Sequence, residues 1–189
     1  IAETVDHPRD LKHTRIKAAL LDHGIEKGIE ISSFATMPAK TGLGSSSSFS
    51  VALMKGLHAF KGEKIDAAEA AEAASRLEID LVGEPIGKQD QYAASFGGLN
   101  VIQFNPDETV LVRPVLIDYK QRLALEDHLI VFFTGVTRAA SSVLSEQKKN
   151  ISAEDKFKTM ADMADSVPEF AERLMKNDLP KTAVELRFG

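Results

Sequence analysis

Apolar positions along the chain switch between a period near 3.6 residues and a period of two, and each switch marks an element. Leu11, Ile16, Ala19 and Leu20 recur among charged neighbours at helical spacing, which predicts a first helix within His7 to Gly24, stopped by the glycine. Gly28 to Met37 instead alternates Ile29, Ile31 and Ala35 with polar partners, the pattern of a half-buried strand, and it ends at Pro38. Beyond a run of glycines and serines, Phe49, Leu53 and Leu57 fall four apart with Ala52 and Phe60 beside them, predicting a buried helix. Asp66 to Leu81 is rich in alanine and opens on a good N-cap, which predicts a third helix. Glycines and Pro85 break the stretch that follows, leaving room for a short helix around Gln89 to Ser95. Leu99 to Phe104 and Thr109 to Ile117 read as paired strands joined by the turn-rich Asn105-Pro106-Asp107-Glu108. His128 to Thr134 reads as a further strand. The stretches 137–147 and Ile151 to Lys176 are helical in pattern, with Asn150 and Asn177 to Pro180 as punctuation.

Composition narrows the class. With 43% hydrophobic and 27% charged residues in 189, the chain is an ordinary globular protein of one domain or two small ones. Its formal net charge of -5 argues against a nucleic-acid partner, because phosphate-backbone binding draws on clustered Lys and Arg. The absence of Cys excludes disulfides, thiolate metal sites and a Cys nucleophile within these residues. No apolar run approaches the roughly 18 residues of a membrane span, and no basic-then-apolar leader opens the sequence. A cytoplasmic protein without a membrane partner is expected, with a homodimer as the default assembly. The five histidines, His7, His13, His23, His58 and His128, lack metal-ligand spacing and read as structural.

The strongest chemical signal is Pro38-Ala39-Lys40-Thr41-Gly42-Leu43-Gly44-Ser45-Ser46-Ser47-Ser48, placed between the predicted strand and the buried helix. Gly42 and Gly44 permit positive φ, so successive backbone N–H groups can converge on an anion where the helix dipole is positive. Such a loop cradles phosphate. The serine hydroxyls can cap the helix, bond phosphate oxygens or ligate magnesium. A flexible turn with a good helix cap would also use these residue types, but the order of strand, glycines, serines and helix favours the phosphate reading. The Walker pattern is absent. The second signal is Gly87-Lys88-Gln89-Asp90-Gln91, framed by Gly83 and Pro85 before it and Gly97-Gly98 after it. A carboxylate here could accept or orient a hydroxyl proton for attack on a γ-phosphate. Taken alone, Asp90 also fits a solvated charge or a helix cap.

Together the two segments resemble the GHMP kinases. The glycine-serine loop is similar to that superfamily's second signature, Pro-x-x-x-Gly-Leu-Gly-Ser-Ser, which wraps the ATP phosphates. The segment 87–98 resembles the one bearing the catalytic aspartate in the heptose phosphate kinase subgroup, and the resemblance extends through the segment 134–147. It implies ATP as donor, Mg2+ as the accompanying ion, and a sugar or sugar phosphate as small-molecule acceptor. The subgroup points to the anomeric hydroxyl of a heptose 7-phosphate, with a fucose- or galactose-type kinase as the near alternative. Carried over by residue, Gly42, Leu43, Gly44, Ser45, Ser46, Ser47 and Ser48 match the phosphate loop and Asp90 the catalytic aspartate. Ser46 and Glu78 match the metal ligands, with Asp80 in reserve. Without the family, Glu78 reads as an exposed helix glutamate. Arg138 is expected to grip a phosphate or sugar hydroxyl, and Lys88 either to grip the substrate phosphate or to hold Asp90 ionised.

The implied fold is α+β in two lobes. Residues 1–125 would form an ATP-binding domain of ribosomal protein S5 domain 2-like fold, and 126–189 the start of a ferredoxin-like domain. The family's first and third signatures do not occur in the 189 residues, as expected of a fragment that lacks both ends. A rival from another class is a non-catalytic relative that binds nucleotide or sugar. Replacement of Asp90 or loss of the serines would favour it, and both features are present.

Overall fold

A computed structural model of the chain describes residues 2–35, 42–132 and 154–178. They divide at Gly97 and Gly98 into two compact units. The first holds a 3-10 turn at Pro8–Asp10 and four helices: α1 Thr14–Asp22, α2 Ser45–Phe60, α3 Ala67–Arg76 and α4 Gln89–Phe96. A single π-helical turn, Leu77–Leu81, continues α3. The second holds a two-stranded antiparallel sheet, β1 Asn100–Phe104 with β2 Val110–Pro114, and two helices, α5 Tyr119–Asp127 and α6 Glu154–Met175. No helix among the described residues is long and apolar enough to cross a membrane.

The core of the first unit is built where the apolar periods converge. Ala19 and Leu20 of α1, Val51, Leu53, Met54 and Leu57 of α2, and Ala70, Ala74 and Leu77 of α3 and its extension are all buried in one cluster. The alanines on α3 let helices approach closely, while the larger side chains of α2 fill the space between; each such buried Leu or Met contributes about 1.5–3 kcal/mol relative to exposure. The start of α3 is fixed by a reciprocal cap: Asp66 Oδ1 accepts from the Glu69 N–H at 2.8 Å and Glu69 Oε2 from the Asp66 N–H at 2.8 Å.

In the second unit the hairpin pairs Asn100 with Pro114, Ile102 with Val112 and Phe104 with Val110. Glu108 turns it with a φ of 68°. Helix α5 is tied to the end of α6 by Gln121 Nε2, which donates to the Met175 carbonyl at 2.9 Å.

Four sequence expectations change. The first predicted helix divides, because Pro8 nucleates a separate 3-10 turn, Leu11 is extended and His13 caps α1, its Nδ1 accepting from the Ile16 N–H at 3.3 Å. Residues 28–35 pair with no strand among the described residues, although Ile29 and Ile31 do pack on the core. The period of two reported burial on one side, and a ladder additionally requires a neighbour. Residues 128–132 are not a strand either; His128 closes α5, its Nδ1 meeting the Ala124 carbonyl at 2.6 Å. Helix α5 itself went unpredicted, although Asp118 and Gln121 form a second capping box. The other short helix and the hairpin lie where the sequence placed them, within a few residues. The predicted helix 137–147, the Pro38–Thr41 part of the loop, and residues 133–134 lie outside the described residues.

Candidate active site

The site lies in the first unit, where the start of α2, the π turn after α3 and the start of α4 meet. Gly44 is the N-cap of α2 with a φ of 65°, and Gly42 has a φ of 77°. A side chain at either would hold the backbone in a conformation that costs roughly 1–2 kcal/mol. Among the described residues no side chain caps the helix, and its first turn carries no acidic residue. The N–H groups of that turn and the positive end of a 16-residue helix are therefore available to an anion.

Asp90 stands opposite. A Cβ built on Gly44 would lie 3.7 Å from Asp90 Oδ2, so the carboxylate faces the helix N-terminus across ordinary van der Waals distance. Asp90 is in the first turn of α4 and exposed. Among the described residues it has no hydrogen-bond partner.

Glu78 is its opposite in environment. Its side chain is fully buried in the π turn. Arg15 Nε donates to Oε1 at 3.0 Å, as does Ser50 Oγ at 3.0 Å; Ser47 Oγ donates to Oε2 at 3.0 Å, and Gln91 Nε2 donates to the same oxygen. An ionised carboxylate offers about four acceptor positions, and all four face donors here. Gln91 Oε1, buried beside it, has no partner among the described residues.

The structure brings Glu78 onto Ser47 and Ser50. Ser46 lies exposed on the first turn of α2, as does Ser48, while Ser45 is half-buried and Leu43 exposed. Lys88 Nζ is engaged by Glu72, at 3.0 and 3.3 Å from its two oxygens, rather than by Asp90. Tyr92 donates its hydroxyl to the same Glu72. Burial and then the bond to Glu72 push the Tyr92 hydroxyl well above its usual range. Asp80, two positions after Glu78, is exposed. Arg138 lies outside the described residues.

Sequence reasoning missed Arg15, Ser50 and Gln91. Arg15 is 63 residues from Glu78, and nothing local announces the pair. The burial of Glu78 did carry a signal. It follows Ala71 and Ala74 at spacings of seven and four, on the buried stripe of α3, so helical periodicity alone points it inward.

Residues 12–98 match the profile of the GHMP kinases N terminal domain, and this part of the chain belongs to that family. Over 145 residues the chain is 29% identical to a D-glycero-alpha-D-manno-heptose 7-phosphate kinase of Campylobacter jejuni subsp. jejuni, covering 77% of this chain and 43% of that protein. It is 36% identical over 117 residues to a galactokinase of Thermococcus kodakarensis, covering 61% and 31% respectively. The crystal structure of a D-glycero-D-manno-heptose 1-phosphate kinase from Bacteriodes thetaiotaomicron superposes with a TM-score of 0.76 at 26% identity, over 92% of this chain and 52% of that one. The fold is that of a GHMP kinase. The chain spans about half the length, or less, of these relatives.

Proposed function

We propose that the chain is the donor-binding part of an ATP-dependent sugar kinase, which transfers the γ-phosphate to the anomeric hydroxyl of D-glycero-D-manno-heptose 7-phosphate. The observation that carries this reading is the Asp90 carboxylate held against Gly44 at the uncapped start of α2. An anion seated on those N–H groups and a hydroxyl oriented by Asp90 would be neighbours, which is the alignment phosphoryl transfer requires. The residues from Gly42 to Ser48 supply amides and hydroxyls for the nucleotide's phosphates, and the helix dipole offsets part of their charge. Asp90, unencumbered by other partners among the described residues, is free to accept a hydrogen bond from the acceptor hydroxyl.

ATP supplies the phosphoryl group when bound. Its phosphates fit the start of α2, where among the described residues no side chain caps the helix and no acidic side chain occupies the first turn. A magnesium ion fits less well at Glu78, whose acceptor positions are filled and whose nearest cation, Arg15, stands 3.0 Å away. Ser46 has the exposed hydroxyl that would hold the ion. Lys88 is assigned to positioning α4 through Glu72, and Arg138 to holding the acceptor. The complete protein would pair an S5 domain 2-like lobe with a ferredoxin-like lobe in the cytoplasm.

The test is phosphoryl transfer by the protein extended to the full length of its relatives, scanned over sugars and sugar phosphates, with the product phosphate located by NMR. Turnover of the heptose 7-phosphate at least tenfold above galactose and fucose is expected. The reverse order would support the galactokinase reading, which the 36% identity to a galactokinase favours. ATP binding without transfer to any acceptor would remove the kinase reading.

A further inference from the structure

A second group of chemically active side chains lies in the first unit, where α1 and α2 end. The C-cap of α1 is His23, and His58 is in the last turn of α2. Although 35 positions separate them, their rings meet, with centroids 4.9 Å apart and planes at 81°. Both line a cavity of about 280 Å³ whose wall also carries Asp22, Lys61 and Arg76.

The hydrogen bonds fix which nitrogen of each ring is free. His23 Nδ1 lies 2.9 Å from the Ala19 carbonyl. His58 Nδ1 lies 2.7 Å from Glu63 Oε2. A carbonyl only accepts, and Glu63 is held below its usual carboxylate range chiefly by this same bond, so it accepts too. Each ring in its neutral form therefore carries its proton on Nδ1 and leaves a lone pair on Nε2. No partner of either Nε2 occurs among the described residues. The other histidines differ. His7 and His13 use Nδ1 as acceptor from the N–H groups of Arg9 and Ile16, which places their proton on Nε2. His128 belongs to the second unit and has no imidazole against it among the described residues.

We propose that His23 and His58 form a two-imidazole site for a borderline divalent transition-metal ion such as Zn2+, bound through both Nε2 atoms in this cavity. Four features support it. With Zn–N near 2.0–2.1 Å, two rings sharing one ion at tetrahedral or square angles have centroids roughly 4.5–5.2 Å apart, and 4.9 Å falls inside that interval. A carboxylate or carbonyl on the far ring nitrogen is the arrangement that orients metal-ligating histidines and raises their basicity. Two helix C-termini converge, and their dipoles favour a cation. The cations on the wall are already matched, Arg76 by Asp22 at 2.6 and 2.7 Å and Lys61 by Glu63 at 3.4 Å, so the cavity holds no uncompensated positive charge. No group of three or more protein ligands exists among the described residues, so water would complete the coordination. Nitrogen ligands select against Mg2+, which separates this site from any nucleotide-bound ion.

The experiment uses the full 189-residue chain, free of any histidine tag, titrated with ZnCl2 by calorimetry and by imidazole 15N NMR. Saturable one-to-one uptake is expected, with Nε2 of His23 and His58 shifting while His7, His13 and His128 stay put. Glu63→Gln, on the surface, should weaken binding by about tenfold or more without altering the fold. His23→Gln or His58→Gln should abolish uptake. Absence of saturable uptake, shifts confined to the other histidines, or unchanged affinity in Glu63→Gln together with either His variant would overturn the proposal. Should a His variant fail to fold, the wild-type spectra and Glu63→Gln still decide it.

Discussion

Two carboxylates twelve positions apart in the first unit show how differently one fold can use the same chemical group. Glu78 is fully buried, in a π turn, with Arg15, Ser47, Ser50 and Gln91 filling its acceptor positions. Asp90 is exposed at the start of a short helix and turned toward Gly44, with no partner among the described residues. A carboxylate whose hydrogen bonds are all made has spent its capacity on holding α1, α2 and α4 around one point. One that has none keeps that capacity for a ligand. The glutamate thus holds the elements of the site together, while the aspartate stays open for the role proposed for it, a difference that residue type alone does not reveal.

The sharpest way to break that contrast is to neutralise each carboxylate and read both activity and stability. If the proposed kinase activity holds, Asp90→Asn in the full-length protein should lower kcat by about 10²–10⁴-fold, the usual range for a positioned proton-accepting group. Its urea midpoint should stay at the wild-type value, since nothing described is bonded to Asp90. Equal loss of stability would place Asp90 among the structural groups instead.

Glu78→Ala should do the opposite. Removing a buried carboxylate leaves the Ser47 and Ser50 hydroxyls and the Gln91 amide without their acceptor and takes from Arg15 one of its two carboxylates, Glu84 remaining, and the expected loss is about 3–5 kcal/mol of unfolding free energy. Urea unfolding of the 189-residue chain measures it, with no need for activity. Retention of wild-type stability, coupled to a shifted Mg2+ dependence of turnover, would return Glu78 to the role of metal ligand. Ser47→Ala deletes one donor of the four and should cost about 1.5–3 kcal/mol, the range for a hydrogen bond to a charged group.

The same contrast explains what could be read without coordinates. The glycine-serine loop and the segment around Asp90 were legible because backbone freedom and a helix start are local properties, encoded within a few residues. Helix α2 was legible because Leu53 and Leu57 repeat the helical period on a buried face, and α3 because an alanine-rich run with the Asp66 cap favours a helix locally. Glu78 was misjudged as exposed because residue type outweighed its position on the stripe. The pairings that define its surroundings span 13 to 63 positions, and no local pattern carries such distances. The strand predicted at 28–37 is absent over its described part, 28–35, for a related reason: alternation records one-sided burial, whereas a strand also needs a partner whose location is non-local. Over the described part of the other, 128–132, an apolar run lies exposed without a strand partner among the described residues. The unpredicted α5 is the reverse case, since Asp118 and Gln121 were in plain view as a capping box.

The smallest effect comes from the ion pair farthest from the site in character, Asp22 with Arg76. Arg76 donates to both Asp22 oxygens and holds that carboxyl below its ordinary 3.8, against the opposing influence of burial. The sign follows from linkage. A folded-state pKa below the unfolded one means that the ionised form is preferred in the folded protein, so the contribution is complete above the ordinary carboxylate range and fades as pH falls through the lowered folded value. Arg76 is half exposed, at 52% of its side-chain surface, so solvent screening limits the pair to about 0.2–1 kcal/mol. Asp22→Asn should therefore lower the urea midpoint slightly at pH 7. In acid, once the pair is protonated, the variant and the wild type should unfold together. A variant difference that persists undiminished in acid would show that Asp22 acts through packing rather than charge, and that the bidentate pair contributes nothing measurable of its own.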